Sequence, residues 1–253
     1  MSRLPVAAFS VLVAATVAAF FITQHLKVAT PLIAGFPRPV PAVINPVDGK
    51  TCGGVDHRTM RISFYLLHRS DDVDVYVVDR GGAIVRTLAS GLYMRGGQHP
   101  VRKFFVWNGR EDNGMLAPEG PYYVRVALIH QGRTVTISDA SGPVPVRIKI
   151  LPPAPRIVSV TPRGLAYGAS ATVTIRYVGN ETRSGTILIY RIGARGKANL
   201  VKGFLTRWHR QSAVWDGLIQ QRPAPRGAYR IALRVTDVTC DTGTSAPVAL
   251  AVR

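Results

Sequence analysis

The chain has 253 residues, of which 47% are hydrophobic, and its formal net charge at pH 7 is +18. This length and apolar content suffice for two hydrophobic cores of ordinary size. With 24 glycines, 18 prolines and no long amphipathic helical pattern after residue 26, the composition argues against an α/β fold and favours an all-β fold.

The N-terminal segment predicts a membrane anchor. Leu4–Ile22 holds no charge, and at about 1.5 Å per residue a helix of this length just crosses a bilayer core of roughly 30 Å. The following residues, 20–27, form a poor cleavage site, so we expect residues 1–27 to be a retained transmembrane signal-anchor. A cleaved signal peptide is the alternative. The anchor predicts a single-pass protein of the cell membrane, with a cytoplasmic N-terminus and extracytoplasmic domains.

Residues 28–41 contain four prolines and predict an extended tether, because proline cannot continue a helix. Two modules follow, at 42–151 and 152–253, joined by a Pro-rich linker, and their openings Pro41–Pro46 and Pro155–Pro162 are similar. Short alternating segments bounded by turn residues predict about seven strands per module. The main predicted strands are Thr59–Leu66, Val73–Asp79, Ile84–Leu88, Phe104–Trp107, Tyr122–Ile129, Arg133–Ile137, Val144–Ile150, Ala171–Val178, Gly185–Arg191, Leu200–Leu205, Ala213–Trp215, Ala228–Thr236 and Pro247–Val252.

One motif occurs twice, with the two tryptophans 108 residues apart. It reads Trp-(Asn/Asp)-Gly, a turn-rich spacer, Pro-x-Gly and then a tyrosine that opens an alternating strand. Its members are Trp107, Gly109, Pro118, Gly120 and Tyr122 in the first copy and Trp215, Gly217, Pro225, Gly227 and Tyr229 in the second. The tryptophan should enter a core, and the glycines supply the positive φ of tight turns. The repeat predicts two tandem β modules.

The first copy, together with Val75–Leu88, resembles the Ig-like domain of the flagellar hook-capping protein FlgD. The shared pattern is Asp-x-x-Gly-x-x-Val-Arg-x-Leu followed by the tryptophan motif, with Asn108 where the family has Asp. The second copy keeps the Trp-Asp-Gly and Pro-x-Gly-x-Tyr pieces. The resemblance implies two tandem Ig-like β-sandwiches after the transmembrane helix, and it implies little about activity.

The positive charge is concentrated in the second module. Residues 48–150 carry 14 basic and 10 acidic groups, whereas residues 151–253 carry 15 and 4. Such a field attracts anionic cell-wall polymer, phospholipid headgroups or nucleic acid, and a solvated basic surface is the alternative. Arg207, Trp208 and Arg210 are the candidate polyanion contact, because guanidinium and indole groups can stack on a sugar or base. The alternative is a strand-edge loop with its tryptophan on the core.

Patterns that carry catalysis or metal binding are not found in the sequence. Asp56, His57 and Ser63 could be combined into a hydrolase triad, but chance co-occurrence is the favoured explanation. Residues 108–114 resemble a calcium loop but lack its ligand spacing, so a turn is favoured. We therefore expect no enzyme activity, no cofactor and no metal.

Cys52 and Cys240 are the two cysteines, and we expect them to form a disulfide between the two modules. If the first strand of each module runs parallel to the last, the loops that hold the two cysteines face each other. An extracytoplasmic location would preserve the bond. Two unpaired thiols are the alternative.

These features predict a non-catalytic, membrane-anchored binding or scaffolding protein. Its partners would be the membrane, through the N-terminal helix, and an anionic cell-wall polymer or another envelope protein, with no small-molecule substrate. One alternative is an anchored accessory part of a cell-envelope enzyme. Another is a polyanion- or nucleic-acid-binding surface protein, which charge alone suggests.

Overall fold

The computed structural model describes residues 9, 11–21, 31–35, 37–168, 172–180, 185–207 and 210–253. Residues 11–21 are helical, and large apolar side chains such as Leu12 and Phe21 are exposed on this helix. Within the described ranges, no helix is both long enough and apolar enough to span a membrane. Apart from Phe9, the other residues of the predicted anchor 1–27 lie outside these ranges.

The first thirteen strands run through residues 33–148. They are β1 Ile33–Ala34, β2 Val43–Ile44, β3 Thr51–Cys52, β4 Val55–Asp56, β5 Met60–Leu66, β6 Asp71–Val78, β7 Ile84–Met94, β8 Lys103–Trp107, β9 Gly120–Leu128, β10 Arg133–Thr136, β11 Ser138–Asp139, β12 Gly142–Pro143 and β13 Val146–Ile148. Strand β7 extends six residues beyond its predicted end at Leu88. Within this extension, the Ser90 hydroxyl and the Gly91 amide donate hydrogen bonds to the Asp74 carboxylate.

The remaining strands run through residues 156–252. They are β14 Arg156–Thr161, β15 Gly164–Leu165, β16 Val173–Val178, β17 Gly185–Ile192, β18 Ala198–Leu205, β19 Ser212–Trp215, β20 Leu218–Ile219, β21 Arg222–Pro223, β22 Gly227–Thr236, β23 Thr242–Thr244 and β24 Val248–Val252. A short 3₁₀ helix, Ala194–Gly196, connects β17 to β18. Strands β16, β17, β18, β19, β22 and β24 were predicted, with ends that differ from the prediction by one or two residues, whereas β14 lies in the predicted module opening Pro155–Pro162, for which no strand bounds were given.

The chain divides into two compact units. The first unit is Met1–Pro39, Arg61–Val106 and Tyr123–Val144, and the second is Val40–Met60, Trp107–Tyr122 and Pro145–Arg253. This division does not follow the predicted module boundary at 151/152, because residues 40–60 and 107–122 group with the C-terminal part of the chain.

In the first unit, β6 pairs antiparallel with β7 and with residues 123–128 of β9, and β10 pairs with β9. Strand β1 pairs antiparallel with β5. Alternate side chains point inward and are buried, as a half-buried sheet requires. The rings of Phe64 and Phe105 stack in this core with their centroids 5.1 Å apart.

In the second unit, β14, β16 and β19 form a three-stranded antiparallel sheet. A larger sheet has the order β15-β24-β22-β17-β18, with β23 added to β22. Their inward side chains form one core cluster, which includes Tyr177, Trp215 and Tyr229. This unit also contains β2 and β13, which pair in parallel, and β13 pairs with the start of β9.

The same strand order therefore occurs twice. The orders β1-β5-β8 and β2-β13-β9-β6-β7 correspond to β14-β16-β19 and β15-β24-β22-β17-β18. In each set, a two-residue strand runs parallel to the last strand, β2 with β13 and β15 with β24. The predicted all-β class and sandwich pairing are confirmed.

Two sequence predictions about the module openings are wrong. Part of the predicted tether 28–41 is packed, because β1 pairs with β5 and Leu32 is buried. Prolines exclude a helix, but an extended apolar segment also fits a sheet edge. The predicted correspondence of Pro41–Pro46 with Pro155–Pro162 is also displaced by one strand. The first segment contains β2 and the second contains β14, whereas β14 corresponds to β1 and β15 corresponds to β2.

Candidate functional site

The first copy of the tryptophan motif forms a compact turn. Trp107 is 1% exposed and its indole Nε1 donates a hydrogen bond to the Arg110 carbonyl oxygen at 2.8 Å. The Tyr122 hydroxyl donates to the Pro118 carbonyl oxygen at 2.8 Å, and the two rings are 5.1 Å apart. Gly109 has φ +73°, which a residue with a side chain rarely adopts.

The second copy repeats this geometry. Trp215 is 1% exposed and its Nε1 donates to the Leu218 carbonyl oxygen at 3.0 Å. The Tyr229 hydroxyl donates to the Pro225 carbonyl oxygen at 2.7 Å, and Gly217 has φ +70°. Both tryptophans are core residues whose polar atoms bond within their own turn, so neither indole is a ligand platform.

The loop that resembled a calcium site uses its polar side chains within the turn. The Asn108 side-chain oxygen accepts from the Arg110 amide, and the Asn113 oxygen accepts from the Met115 amide at 2.7 Å. Asn113 also donates to the Glu111 carboxylate at 3.0 Å. These bonds stabilise the turn itself.

Cys52 and Cys240, the pair that the sequence predicted, are joined in a disulfide with their Cα atoms 5.8 Å apart. Cys52 ends β3 in a small hairpin with β4, and Cys240 lies in the loop between β22 and β23. The bond is within the second compact unit and links positions separated by 188 residues. The parallel pairing that motivated the prediction is made by β2 and by β15, rather than by the longer first strand β14.

Two buried carboxylates lie on either side of Cys240. Asp237 accepts hydrogen bonds from the amide and the hydroxyl of Thr239 and from the Asp241 amide. Asp241 accepts from the Asn45 side-chain amide at 2.8 Å, and Lys50 Nζ lies 3.5 Å from its other oxygen. The sequence analysis missed this cluster. Its one local signal is the Asp-x-Thr-x-Asp pattern around Cys240, which is typical of a polar turn.

Lys149 completes the cluster. Its ammonium group donates to Asp237 at 2.5 Å and to the Leu151 carbonyl oxygen at 2.6 Å. Burial alone would raise the pKa of Asp237, but the hydrogen bonds from Lys149, Thr239 and the Asp241 amide outweigh it and hold that pKa below its ordinary value. Both oxygens of the charged Asp237 carboxylate accept hydrogen bonds from protein groups, so neither is free for proton transfer. We call Lys50, Lys149, Asp237 and Asp241 the Asp237 clamp.

A groove of about 540 Å³ lies beside this clamp. Its lining includes Val43, Glu119, Lys149 and Asp237. The Glu119 carboxylate accepts hydrogen bonds from the amides of Ile150 and Leu151, at 2.5 and 2.6 Å. Glu119, Lys149 and Asp237 are thus bonded to protein atoms, and the remaining charged group of the lining is the exposed guanidinium of Arg147.

The residues of the hypothetical triad have other partners. Asp56 is exposed and forms an ion pair with Arg58 at 3.0 Å, and this bond lowers the pKa of its carboxyl group. His57 is buried, with Nδ1 2.8 Å from the Val43 carbonyl oxygen. The side chain of Ser63 is within 3.5 Å of an Arg102 guanidinium nitrogen. The chance explanation is favoured.

The candidate polyanion contact is only partly described. Arg207 and Arg210 are exposed, and both line an open groove of about 400 Å³ between the end of β18 and the start of β19. The exposed side chains of Leu205 and Val214 line the same groove. Trp208 lies outside the described residues, so its predicted part in the contact stays a prediction.

Comparison with known proteins confirms the predicted resemblance for part of the chain. Residues 50–132 match the family described as FlgD Ig-like domain. No curated protein matches the sequence. The chain is similar to the solved structure of dimeric latent PorU from Porphyromonas gingivalis, with 12% identity and a TM-score of 0.30, over 83% of this chain and 18% of that one. It is also similar to a marsupial T cell receptor, with 9% identity and a TM-score of 0.34, over 88% and 72%.

Proposed function

We propose that the chain is an exported, membrane-anchored binding or scaffolding protein that presents two tandem Ig-like modules and carries out no catalysis. The observation that supports this best is the repetition of one strand order with one Trp–Tyr turn geometry. In both turns the polar atoms of the tryptophan and the tyrosine are hydrogen-bonded within the protein. A fold that is repeated in this way can present its outer surfaces to binding partners. The assignment of the second module as Ig-like extends the family match at residues 50–132 to residues 152–253.

The anchor is supported by the uncharged run Leu4–Ile22 and by the helix at residues 11–21, whose large apolar side chains are exposed. A lipid environment would remove this apolar surface from water. The N-terminus would then lie in the cytoplasm, and the strands would lie outside the cell membrane.

An extracytoplasmic location is supported by the Cys52–Cys240 bond. Disulfides persist in exported proteins and are rare where thiols are kept reduced. The covalent link would hold residues 45–52 and 237–241 together beside the buried carboxylates Asp237 and Asp241. A fixed geometry of this kind suits a scaffold.

A binding role for the basic region is supported by the pairing of its acids. In the described part of residues 151–253, Asp216, Asp237 and Asp241 each lie within ion-pair distance of a lysine. The arginines of this region are therefore opposed by few free carboxylates and would attract anionic envelope polymers. A more general polyanion-binding role is favoured by the same observation and is the second candidate.

The role of an accessory part of an envelope enzyme has less support. It would need a cleft with groups of shifted pKa that are free to react. Asp237 has a shifted pKa in a groove, but its carboxylate is occupied by Lys149 and Thr239.

Cell fractionation with sequencing of the mature N-terminus tests the proposal. We expect the intact chain in the membrane fraction, with the strand-rich part open to external protease and no free thiol under denaturing, non-reducing conditions. A soluble product that begins near residues 25–35 would contradict the anchor, and two free thiols would contradict the exported location.

A further inference from the structure

The outer face of the sheet β15-β24-β22-β17-β18 combines arginine with exposed leucine. The outward pairs across β17 and β22 are Thr186–Arg234, Leu188–Ala232 and Tyr190–Arg230. Residues that alternate with them, such as Ile189 and Ile231, fill the core, which fixes the direction of each side chain. The guanidinium groups of Arg230 and Arg234 are thus on the solvent side, and both residues are exposed.

The edge strand β18 adds two leucines to the same face. Leu205 lies opposite Thr186 and is 75% exposed, and Leu200 lies opposite Tyr190 and is 57% exposed. Two rows therefore cross the face, Leu205–Thr186–Arg234 and Leu200–Tyr190–Arg230. We call Tyr190, Leu200, Leu205, Arg230 and Arg234 the Arg–Leu face.

The face continues toward β24 as a shallow depression. The depression has a volume of about 460 Å³. It is lined by Arg163 and Arg230 and by the small side chains of Ala228, Ala249 and Ala251. Because the alanine side chains are short, a flat partner surface could contact the guanidinium groups of Arg163 and Arg230 at the same time.

No carboxylate opposes these arginines on the face. Its outward positions in β17, β18, β22 and β24 are all described and hold no acidic residue. In the described part of residues 151–253, the acids are paired elsewhere, with Asp216 3.0 Å from Lys202 and the others in the clamp beside Cys240. The local potential is therefore positive and unopposed.

We propose that the Arg–Leu face docks on the surface of an anionic lipid bilayer. Two strongly exposed leucines beside arginines match an interface that has acyl chains below negatively charged headgroups. A glycan or nucleic acid would use the charge but would leave the leucines in water, and the face is a broad, shallow sheet surface rather than a slot for a peptide. The inference rests on the proposed anchor, which keeps a bilayer within reach at high effective concentration.

Hydroxyl-radical footprinting of the full chain in nanodiscs tests this. Discs of phosphatidylcholine alone are compared with discs that also contain phosphatidylglycerol. We expect a several-fold loss of oxidation at Leu200 and Leu205 on the anionic discs only. Val158 and Val106, 58% and 50% exposed on the two three-stranded sheets, serve as internal controls and should keep their oxidation.

Matched variants separate this face from charge in general. Arg230→Gln with Arg234→Gln should abolish the protection of the leucines. Arg156→Gln with Arg222→Gln removes the same charge from exposed positions outside the face and should leave the protection intact. Equal loss in both variants, equal protection on both disc types, or protection of Val158 and Val106 instead would overturn the inference.

Two further outcomes distinguish this inference from the proposed function. If heparin without lipid protects the leucines to the same extent, the face is a general polyanion site and the lipid assignment is wrong, while the binding role survives. If the chain is not retained in either disc, the anchor is wrong. The footprint with added phosphatidylglycerol vesicles then decides the docking by itself, and unprotected leucines would overturn it.

Discussion

The outer faces of the two corresponding sheets differ in charge although their strands pair in the same way. In the first sheet, Asp74 of β6 lies opposite Ala127 of β9. The corresponding pair of the other sheet is Thr186 of β17 opposite Arg234 of β22, since Ala127 and Arg234 both lie five residues after the motif tyrosine. The position of Asp74 thus holds Thr186 in the other sheet, and the position of Ala127 holds Arg234.

The two Trp–Tyr turns, by contrast, are nearly identical in their bonds and burial. Each indole nitrogen donates to the carbonyl oxygen three residues later, and each tyrosine hydroxyl donates to the carbonyl oxygen four residues earlier. The buried motif is thus repeated and the exposed face is not. We conclude that the motif holds the fold, and that binding properties should be sought on the faces that differ.

Removing either indole should have the largest effect on stability. We expect Trp107→Ala and Trp215→Ala each to lower the free energy of unfolding by about 3–5 kcal/mol, because each leaves a large cavity in a packed core. Urea unfolding of the full chain measures this. Val106→Ala and Val214→Ala, at exposed positions next to the tryptophans, should change stability by less than about 0.5 kcal/mol. Clearly different losses of unfolding free energy in Trp107→Ala and Trp215→Ala would contradict the equivalence of the two turns.

The disulfide should contribute the next largest amount. Cys52→Ser with Cys240→Ser should lower the free energy of unfolding by about 2–5 kcal/mol, since the bond restricts the unfolded chain over a long loop. A reducing agent should destabilise the wild-type protein to a similar extent and leave the double variant unchanged. If the reducing agent also destabilises the double variant, its effect on the wild-type protein cannot be assigned to the disulfide.

The Asp237 clamp predicts a smaller, pH-dependent effect. Asp237→Asn should lower stability by about 1–3 kcal/mol at neutral pH, because it leaves Lys149 without its counterion. The pKa of Asp237 is lowered on folding, so its contribution is present above the unfolded pKa of about 4 and is lost as pH falls through the folded pKa.

Unfolding measured across this acid range checks the clamp. The wild type should lose more stability on acidification than Asp237→Asn does. The exposed Asp48→Asn variant should follow the wild type. A variant at Asp237 that follows the wild-type pH profile would contradict the assigned role.

The tyrosine hydroxyls should contribute least. Tyr122→Phe and Tyr229→Phe should each lower stability by about 1 kcal/mol, because each removes one hydrogen bond and keeps the ring. Tyr93→Phe, at an exposed tyrosine, is the matched control and should be neutral. An effect at only one of the two motif tyrosines would sharpen the comparison by showing that one turn is more strained than the other.

Much of the fold could be predicted because its signals are local. Gly109 and Gly217 stand where the turn needs positive φ, and each tryptophan precedes its glycine by two residues. Long alternating strands such as β6 and β22 were found for the same reason. Strand β1 was missed because two residues are too few for a periodic pattern, and only pairing with β5 distinguishes them from a tether.

The candidate sites were harder to predict because they depend on contacts distant in sequence. Lys149 and Asp237 are 88 residues apart, and no local pattern marks them as partners. The Arg–Leu face depends on the register of β17 with β18 and β22, which a one-residue slip would reverse. The charge of residues 151–253 indicated the region of the proposed face, whereas Arg207 and Arg210 were chosen from local composition alone.

We infer that the sheet β15-β24-β22-β17-β18, and not the sheet β2-β13-β9-β6-β7, binds anionic envelope material. The direct test is binding of isolated cell envelope to the full chain in phosphatidylcholine nanodiscs, measured against salt concentration. We predict binding that falls steeply toward physiological salt, that Arg230→Gln with Arg234→Gln abolishes, and that the matched loss of exposed Arg80 and Arg147 leaves intact. Equal loss in both double variants, or binding that does not respond to salt, would contradict the claim.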